Sequence, residues 1–143
     1  MGVAELHITS NFAFLTGASH PEEYAHRAAE MELEAFAIVG ENSVAGIVRA
    51  HVALRDLKRI VEERERHVAQ FGETGPPRPE HAPRTAGPLE VMHIPRLLPA
   101  ARVVLFCGLT CVNIPRDRQG WRNLSKLLSK GRMRAPKGEC HIY

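Results

Sequence analysis

Cysteine is scarce in this chain: three of 143 residues, Cys107, Cys111 and Cys140. So few, and an odd number, argue against a disulfide framework and for a reduced compartment. No apolar run approaches the ~18 residues that a membrane span requires. The opening MGVAELHITS has no basic start followed by an apolar block, so it does not read as a secretory leader. Position 6, where N-myristoylation asks for Ser or Thr, is Leu6. Gly-x-Ser-x-Gly, the phosphate loop and the dinucleotide fingerprint are all missing, which removes the commonest nucleophile-elbow and nucleotide-binding readings. The expectation is a reduced, cytoplasmic protein with one domain and a real core.

Acidic residues are nearly missing from one stretch. Residues 115–138 contain eight Lys or Arg and a single acid, Asp117, a net charge of +7. The whole chain carries +3, so the remainder is at −4. A basic tail on an acidic body points to an anionic partner, with a solvated helix face as the plainer alternative.

The rest of the chain alternates between strand and helix patterns. AELHI (residues 4–8) alternates as a half-buried strand does. Ser19-His20-Pro21-Glu22 has the Ser-x-x-Glu form of a capping box, with Ser19 as the cap and Pro21 suited to a first turn. EEYAHRAAEME then reads as an alanine-rich helix. AFAIV (residues 35–39) is a short buried-strand run, and Gly40-Glu41-Asn42 a turn. Ser43 is positioned to cap a second helix that continues through RDLKRIVEERERHVAQF. Residues 72–88, GETGPPRPEHAPRTAGP, hold five prolines and three glycines and read as an exposed insertion. LLPAARVVLF and LTCVNI are two strands around a Cys107-Gly108 turn. Asp117 caps a last helix, RQGWRNLSKLLSK, with Trp121, Leu124, Leu127 and Leu128 on its apolar side and Gly131 at its end. GRMRAPKGECHIY is then a basic coil. Strand–helix–strand–helix order predicts an α/β fold with parallel strands.

AELHITSNFAFLTGASHPEE, AIVGENSVAGIVRAHVAL and PRDRQGWRNLSKLLSKGRMRAPKGEC together resemble the start of the error-prone DNA polymerases of the bacterial C family. The similar part is their N-terminal PHP (polymerase and histidinol phosphatase) domain, and the resemblance covers nearly everything except the proline-rich insertion. It implies a partial, truncated PHP-type distorted β/α barrel over residues 1–143, with the later barrel strands and all polymerase domains beyond Tyr143. It also implies a parent activity of damage-induced, translesion DNA synthesis, with DNA as partner and accessory mutagenesis proteins as possible ones.

For intact family members with an active PHP domain, the resemblance implies a divalent metal cluster of Mg, Mn or Zn. Its first motif is His-x-His; here it is His7-Ile8-Thr9. Its second pairs an Asp with a His; here Gly40-Glu41 occupies the place. Its third supplies a Glu; the match is Arg102, a cation that cannot ligate one. His7 and Glu41 are the remaining metal candidates, fewer than the three or so protein ligands that hold zinc or manganese against water. No catalytic residue is assigned. Cys140-His141 and Cys107-x-x-x-Cys111 lack further ligands, and the latter pair is read as packing. Arg116, Arg118, Arg122, Lys126, Lys130, Arg132, Arg134 and Lys137 are the candidate nucleic-acid contacts. Three functions remain open: a supporting domain of an error-prone polymerase, a PHP phosphoesterase using His7 and Glu41, or a DNA-binding module acting through the basic segment. An incomplete barrel leaves unpaired strand edges, which invites self-association.

Overall fold

The computed structural model describes residues 2–13, 15–71 and 93–143. The insertion at residues 72–88 lies outside them.

Chain order is β1 (Ala4–Ile8), α1 (Pro21–Glu30), β2 (Ala35–Ile38), α2 (Ile47–Phe71), β3 (Arg96–Pro99), β4 (Ala101–Val104), β5 (Thr110–Asn113) and α3 (Arg118–Arg134). β1, β2 and β3 form a parallel sheet with β2 central, so the expected α/β architecture is present. β4 and β5 form an antiparallel hairpin. In its turn Gly108 has φ +88° and donates its N–H to the Leu105 carbonyl, as the Cys107-Gly108 pair predicts.

Apolar content decides the layering. Every residue of β2 is buried, because helices cover one of its faces and the segment around Ala100 the other. Phe36 and Ile38 pack on Ala25 and Ala28 of α1 and on Ala50, Ala53 and Leu54 of α2. The alanines carry little bulk, which lets both helices lie close on the strand; Arg49 of α2 also ion-pairs with Glu22 of α1. Ala37, Val39, Leu98 and Ala100 form the opposite cluster. Leu57 and Val61 continue the α2 seam to Ala29. Beyond that seam α2 is held by pairs along its own surface, Lys58–Glu62 at 3.7 Å and Arg59–Glu63 at 3.9 Å.

LLPAARVVLF is one strand by sequence and two elements in the structure, yet its register never breaks. Ala35 lies opposite Arg96, Ile38 opposite Pro99 and Glu41 opposite Arg102, one constant offset. From Ala101 on, the segment stays beside the continuation of β2 and takes up β5 as well on its other edge.

Three caps differ from expectation. α1 is capped by His20, one residue after Ser19, and the reaching carboxylate is Glu23, which accepts the His20 N–H at 2.8 Å. Pro21 at the first helical position leaves His20 as the last extended residue. Ser43 is engaged in a bridge with Gly40, and its Oγ accepts from the Ala45 N–H at 3.1 Å; α2 starts only at Ile47. Gly131 does not end α3, which runs on to Arg134. Asp117 is the cap expected, its Oδ1 accepting from the Gly120 N–H at 2.7 Å.

Gly131 serves close approach instead. A Cβ there would sit 2.7 Å from both Cys140 Sγ and Ile142 Cγ1. The segment read as basic coil passes over this point and docks. His141 donates its N–H to the Gly131 carbonyl at 3.0 Å, and Ile142 accepts from the Phe106 N–H at 2.6 Å. Ile142 is 2 % exposed, packed with Ala101, Val103, Leu124 and Leu128. Trp121 lines this cluster, whereas Leu127, expected on the apolar side, is exposed.

The strand edges carry a consequence. All four residues of β5 are exposed, and so are the first four of β1. Phe106, Leu109 and Val112 leave apolar surface beside the β5 edge. Such edges pair readily with other chains. The purified chain is therefore expected to be oligomeric, or to melt at low temperature with poor cooperativity, by light scattering and calorimetry. A monomer with a high, sharp melting transition contradicts this.

Candidate functional site

The residues expected to approach a metal come from β1, the β2–α2 loop and β4. β1 has an irregular register between Glu5 and Ile8. Ile8 packs toward the helices, which directs the preceding His7 to the other face. His7 is exposed; its backbone N–H donates to Glu5 Oε1 at 3.0 Å. Thr9, in the second histidine's place, has no imidazole, and its backbone carbonyl accepts from the Tyr24 hydroxyl at 3.1 Å.

Glu41 faces Arg102. Its Oε2 lies 2.8 Å from Arg102 Nη2, with the carboxylate side chain 57 % and the guanidinium side chain 28 % exposed. That half-exposed pair contributes on the order of 0.2–1 kcal/mol to stability. Its larger effect is on chemistry. The carboxylate that would meet a cation already meets one that is part of the protein, and the fixed positive charge repels a second.

Gly40 adds a steric term. It bridges to Ser43, and a Cβ at Gly40 would lie 3.1 Å from the Ser43 carbonyl oxygen and 3.2 Å from the Ser43 Cβ. An Asp there would need Ser43 to shift slightly. Among the described residues no three His, Cys, Asp or Glu side chains gather as a metal set would. The donor set present, one exposed imidazole and one ion-paired carboxylate, does not fit a multinuclear centre.

Asn42, between these groups, is a residue that sequence reasoning missed. It is 9 % exposed and holds φ +45°. Its backbone N–H donates to the Arg102 carbonyl at 2.8 Å, and its Oδ1 accepts from the Val104 N–H at 3.0 Å. Its Nδ2 approaches the Val104 carbonyl at 3.4 Å. The side-chain amide thus stands in for a peptide group and lengthens the pairing with β4. Arg132 of α3 donates to the Asn42 carbonyl at 3.1 Å, tying the third helix to the same loop. Asparagine tolerates positive φ better than most residues, and its place after Gly40-Glu41 was the available signal.

All eight predicted basic contacts are exposed. The structure brings five of them, Arg118, Arg122, Lys126, Lys130 and Arg134, into one row along α3. Arg116 precedes the helix, Lys137 follows it, and Arg132 is committed to Asn42. Beside the row, Trp121, Ser125 and Ser129 complete a shallow depression with Arg122, Lys126 and Lys130. A second depression of about 640 Å³ is lined by Glu41, Asn42, Arg132, Lys137, Glu139 and His141, among others, with charges of both signs. Glu139 and His141 pair within it at 3.0 Å.

Cys107 and Cys111 are exposed, so the expectation that they pack inside is corrected: the hairpin end that carries them projects from the core. Cys140 is half-buried against Gly131.

No family model matches the chain. In an alignment spanning 150 positions that covers 99% of this chain, it is 44% identical to an error-prone DNA polymerase of Ruegeria pomeroyi. It is 38% identical to one of Azoarcus sp. and 36% identical to one of Rhodopseudomonas palustris, each over 97% of its length. The chain spans only 10–13% of the length of these three relatives. Among solved structures it resembles a metal-dependent phosphoesterase of Bifidobacterium adolescentis, with a TM-score of 0.50 over 92% of this chain and 34% of that one. Sequence identity there is 12%, so the likeness bears on the fold alone.

Proposed function

We propose, on the premise that this chain is a homologue of the error-prone DNA polymerases over nearly all of its length, that it forms the PHP-type N-terminal portion of such an enzyme. The observation that carries the reading is the 44% identity spread over 99% of the chain. The fold resemblance to a phosphoesterase supports a partial PHP-type barrel. In this reading the parent protein copies damaged DNA in the cytoplasm, with accessory mutagenesis proteins as partners, and the chain braces the polymerase without reacting.

The Glu41–Arg102 pair supports the non-reacting role. One imidazole and one carboxylate already paired with a guanidinium are too few donors for a divalent metal cluster. The mechanism that remains is mechanical. β2 and the 96–104 segment form a buried spine, and the Asn42 amide and Arg132 fasten α3 to it.

The test grafts this chain into the Ruegeria pomeroyi relative in place of its matching segment. Primer extension by the graft is expected to survive, and His7→Ala or Glu41→Gln within it to change the rate less than twofold. The isolated chain is expected to bind Mn²⁺ or Zn²⁺ with no stoichiometric endpoint by calorimetry and to leave a generic phosphodiester intact. Stoichiometric metal lost on His7→Ala, together with hydrolysis, overturns the reading in favour of a phosphoesterase. A tenfold fall in extension from either substitution overturns the bracing role.

A further inference from the structure

The strongest unexplained feature is the cation row on α3. Arg118, Arg122, Lys126, Lys130 and Arg134 recur every fourth residue over the full length of the helix. Four residues of α-helix advance about 6 Å, so the row extends about 24 Å. Rows of this spacing incline by about 26° to the helix axis and form a continuous ridge.

α2 shows what an ordinary solvated charged face looks like in the same chain. There Arg55, Lys58 and Arg59 each meet an acid, Asp56, Glu62 and Glu63 respectively. α3 contains no acid at all. Among the described residues none of the five ridge cations forms a side-chain hydrogen bond or ion pair. Four successive like-charge pairs at this spacing repel one another. Arg118 and Arg122 also sit near the positive end of the helix dipole. Water and mobile counter-ions screen this repulsion in part, and an anion that spans several of the cations at once relieves more of it.

We infer that this ridge is a binding surface for the phosphodiester backbone of a nucleic acid. A chain of evenly spaced monoanions matches an unpaired, regularly spaced row of cations better than a single small anion does. The row rises about 24 Å but turns about 160° around the helix from Arg118 to Arg134, so Arg122, Lys126 and Lys130 at its middle present the most nearly common face to one strand. Trp121 is half-buried in the α3 cluster rather than standing out as a stacking platform, so the contact is to backbone and indifferent to base sequence. The inference goes beyond the polymerase reading and does not depend on it, since it concerns what the isolated chain binds.

The test is fluorescence anisotropy of the full chain with labelled single-stranded and duplex DNA of mixed sequence, across a salt series. Five phosphate contacts, the most the ridge can make, predict a slope of log K against log salt of about −4.5 on duplex and about −3.5 on single strand. On duplex this is a loss of about 500-fold between 50 and 200 mM salt. The triple variant Arg122→Gln, Lys126→Gln, Lys130→Gln is expected to reduce the duplex slope to about −1.8. The triple variant Arg55→Gln, Lys58→Gln, Arg59→Gln makes the same change in net charge on α2 and is expected to bind as the parent does. Circular dichroism melts confirm that both variants fold; where the α3 variant does not, Lys126→Gln alone is read for a slope change of about 0.9. Absent binding, affinity that ignores salt, or equal weakening by the two triples overturns the assignment. So does poly-glutamate binding as tightly as DNA.

Discussion

Asn42→Ala is expected to destabilise the protein by about 3 kcal/mol. The substitution strands the Val104 N–H, which Asn42 Oδ1 accepts at 3.0 Å, and removes the weaker contact to the Val104 carbonyl. An unsatisfied buried donor or acceptor costs about 1–3 kcal/mol, and Val104 is half-buried, so the lower part of that range applies to each group. A left-handed φ of +45° adds about 1 kcal/mol once the residue is alanine. In urea the midpoint should fall by roughly 1–2 M. Asn42→Gly removes the backbone strain but not the lost bonds, and should recover about 1 kcal/mol of the deficit. A change below about 0.5 kcal/mol for alanine would mean that water replaces the amide and that the loop is no brace.

The second large effect lies at the C-terminal segment. Ile142→Ala should cost about 3 kcal/mol, within the range for emptying a buried aliphatic site. Ile142 is 2 % exposed and closes the cluster of Val103, Leu124 and Leu128. Gly131→Ala tests the same contact from the helix side, and its sign is informative. Helix propensity alone favours alanine over glycine by about 1 kcal/mol. The 2.7 Å approaches to Cys140 and Ile142 forbid the added methyl unless the segment moves, so overpacking of about 1–3 kcal/mol should prevail. Chemical denaturation of both variants decides the matter. If Gly131→Ala stabilises and Ile142→Ala is silent, the last residues fray in solution as termini commonly do.

Much of the fold was legible because it rests on local patterns. The apolar run at residues 35–38 had to be covered on both faces, and it is. Asp117 caps a helix because its carboxylate meets the Gly120 N–H three residues on, a contact between near neighbours in sequence. The capping errors have a common cause. Ser19 and Ser43 are both suitable caps by residue type, but Pro21 fixed the first boundary, and the Gly40–Ser43 bridge drew Ser43 into the loop. The site was legible in part. Thr9, Gly40 and Arg102 stand where the motif implied by the resemblance has ligands, whereas the 2.8 Å pairing of Glu41 with Arg102 joins residues 61 apart.

By itself the sequence determined the α/β order, the parallel sheet implied by alternating strands and helices, the uneven charge, and the kinship with error-prone polymerases. These follow from residue type and spacing, which no neighbour can alter. Only the tertiary structure decided that Glu41 answers to an arginine, that Asn42 completes a strand, that Gly131 is a crossing point, and that five of eight scattered cations share one ridge. Each of those depends on which surfaces meet when the helices close on β2 and the last residues return to α3, and distance along the chain carries no record of that.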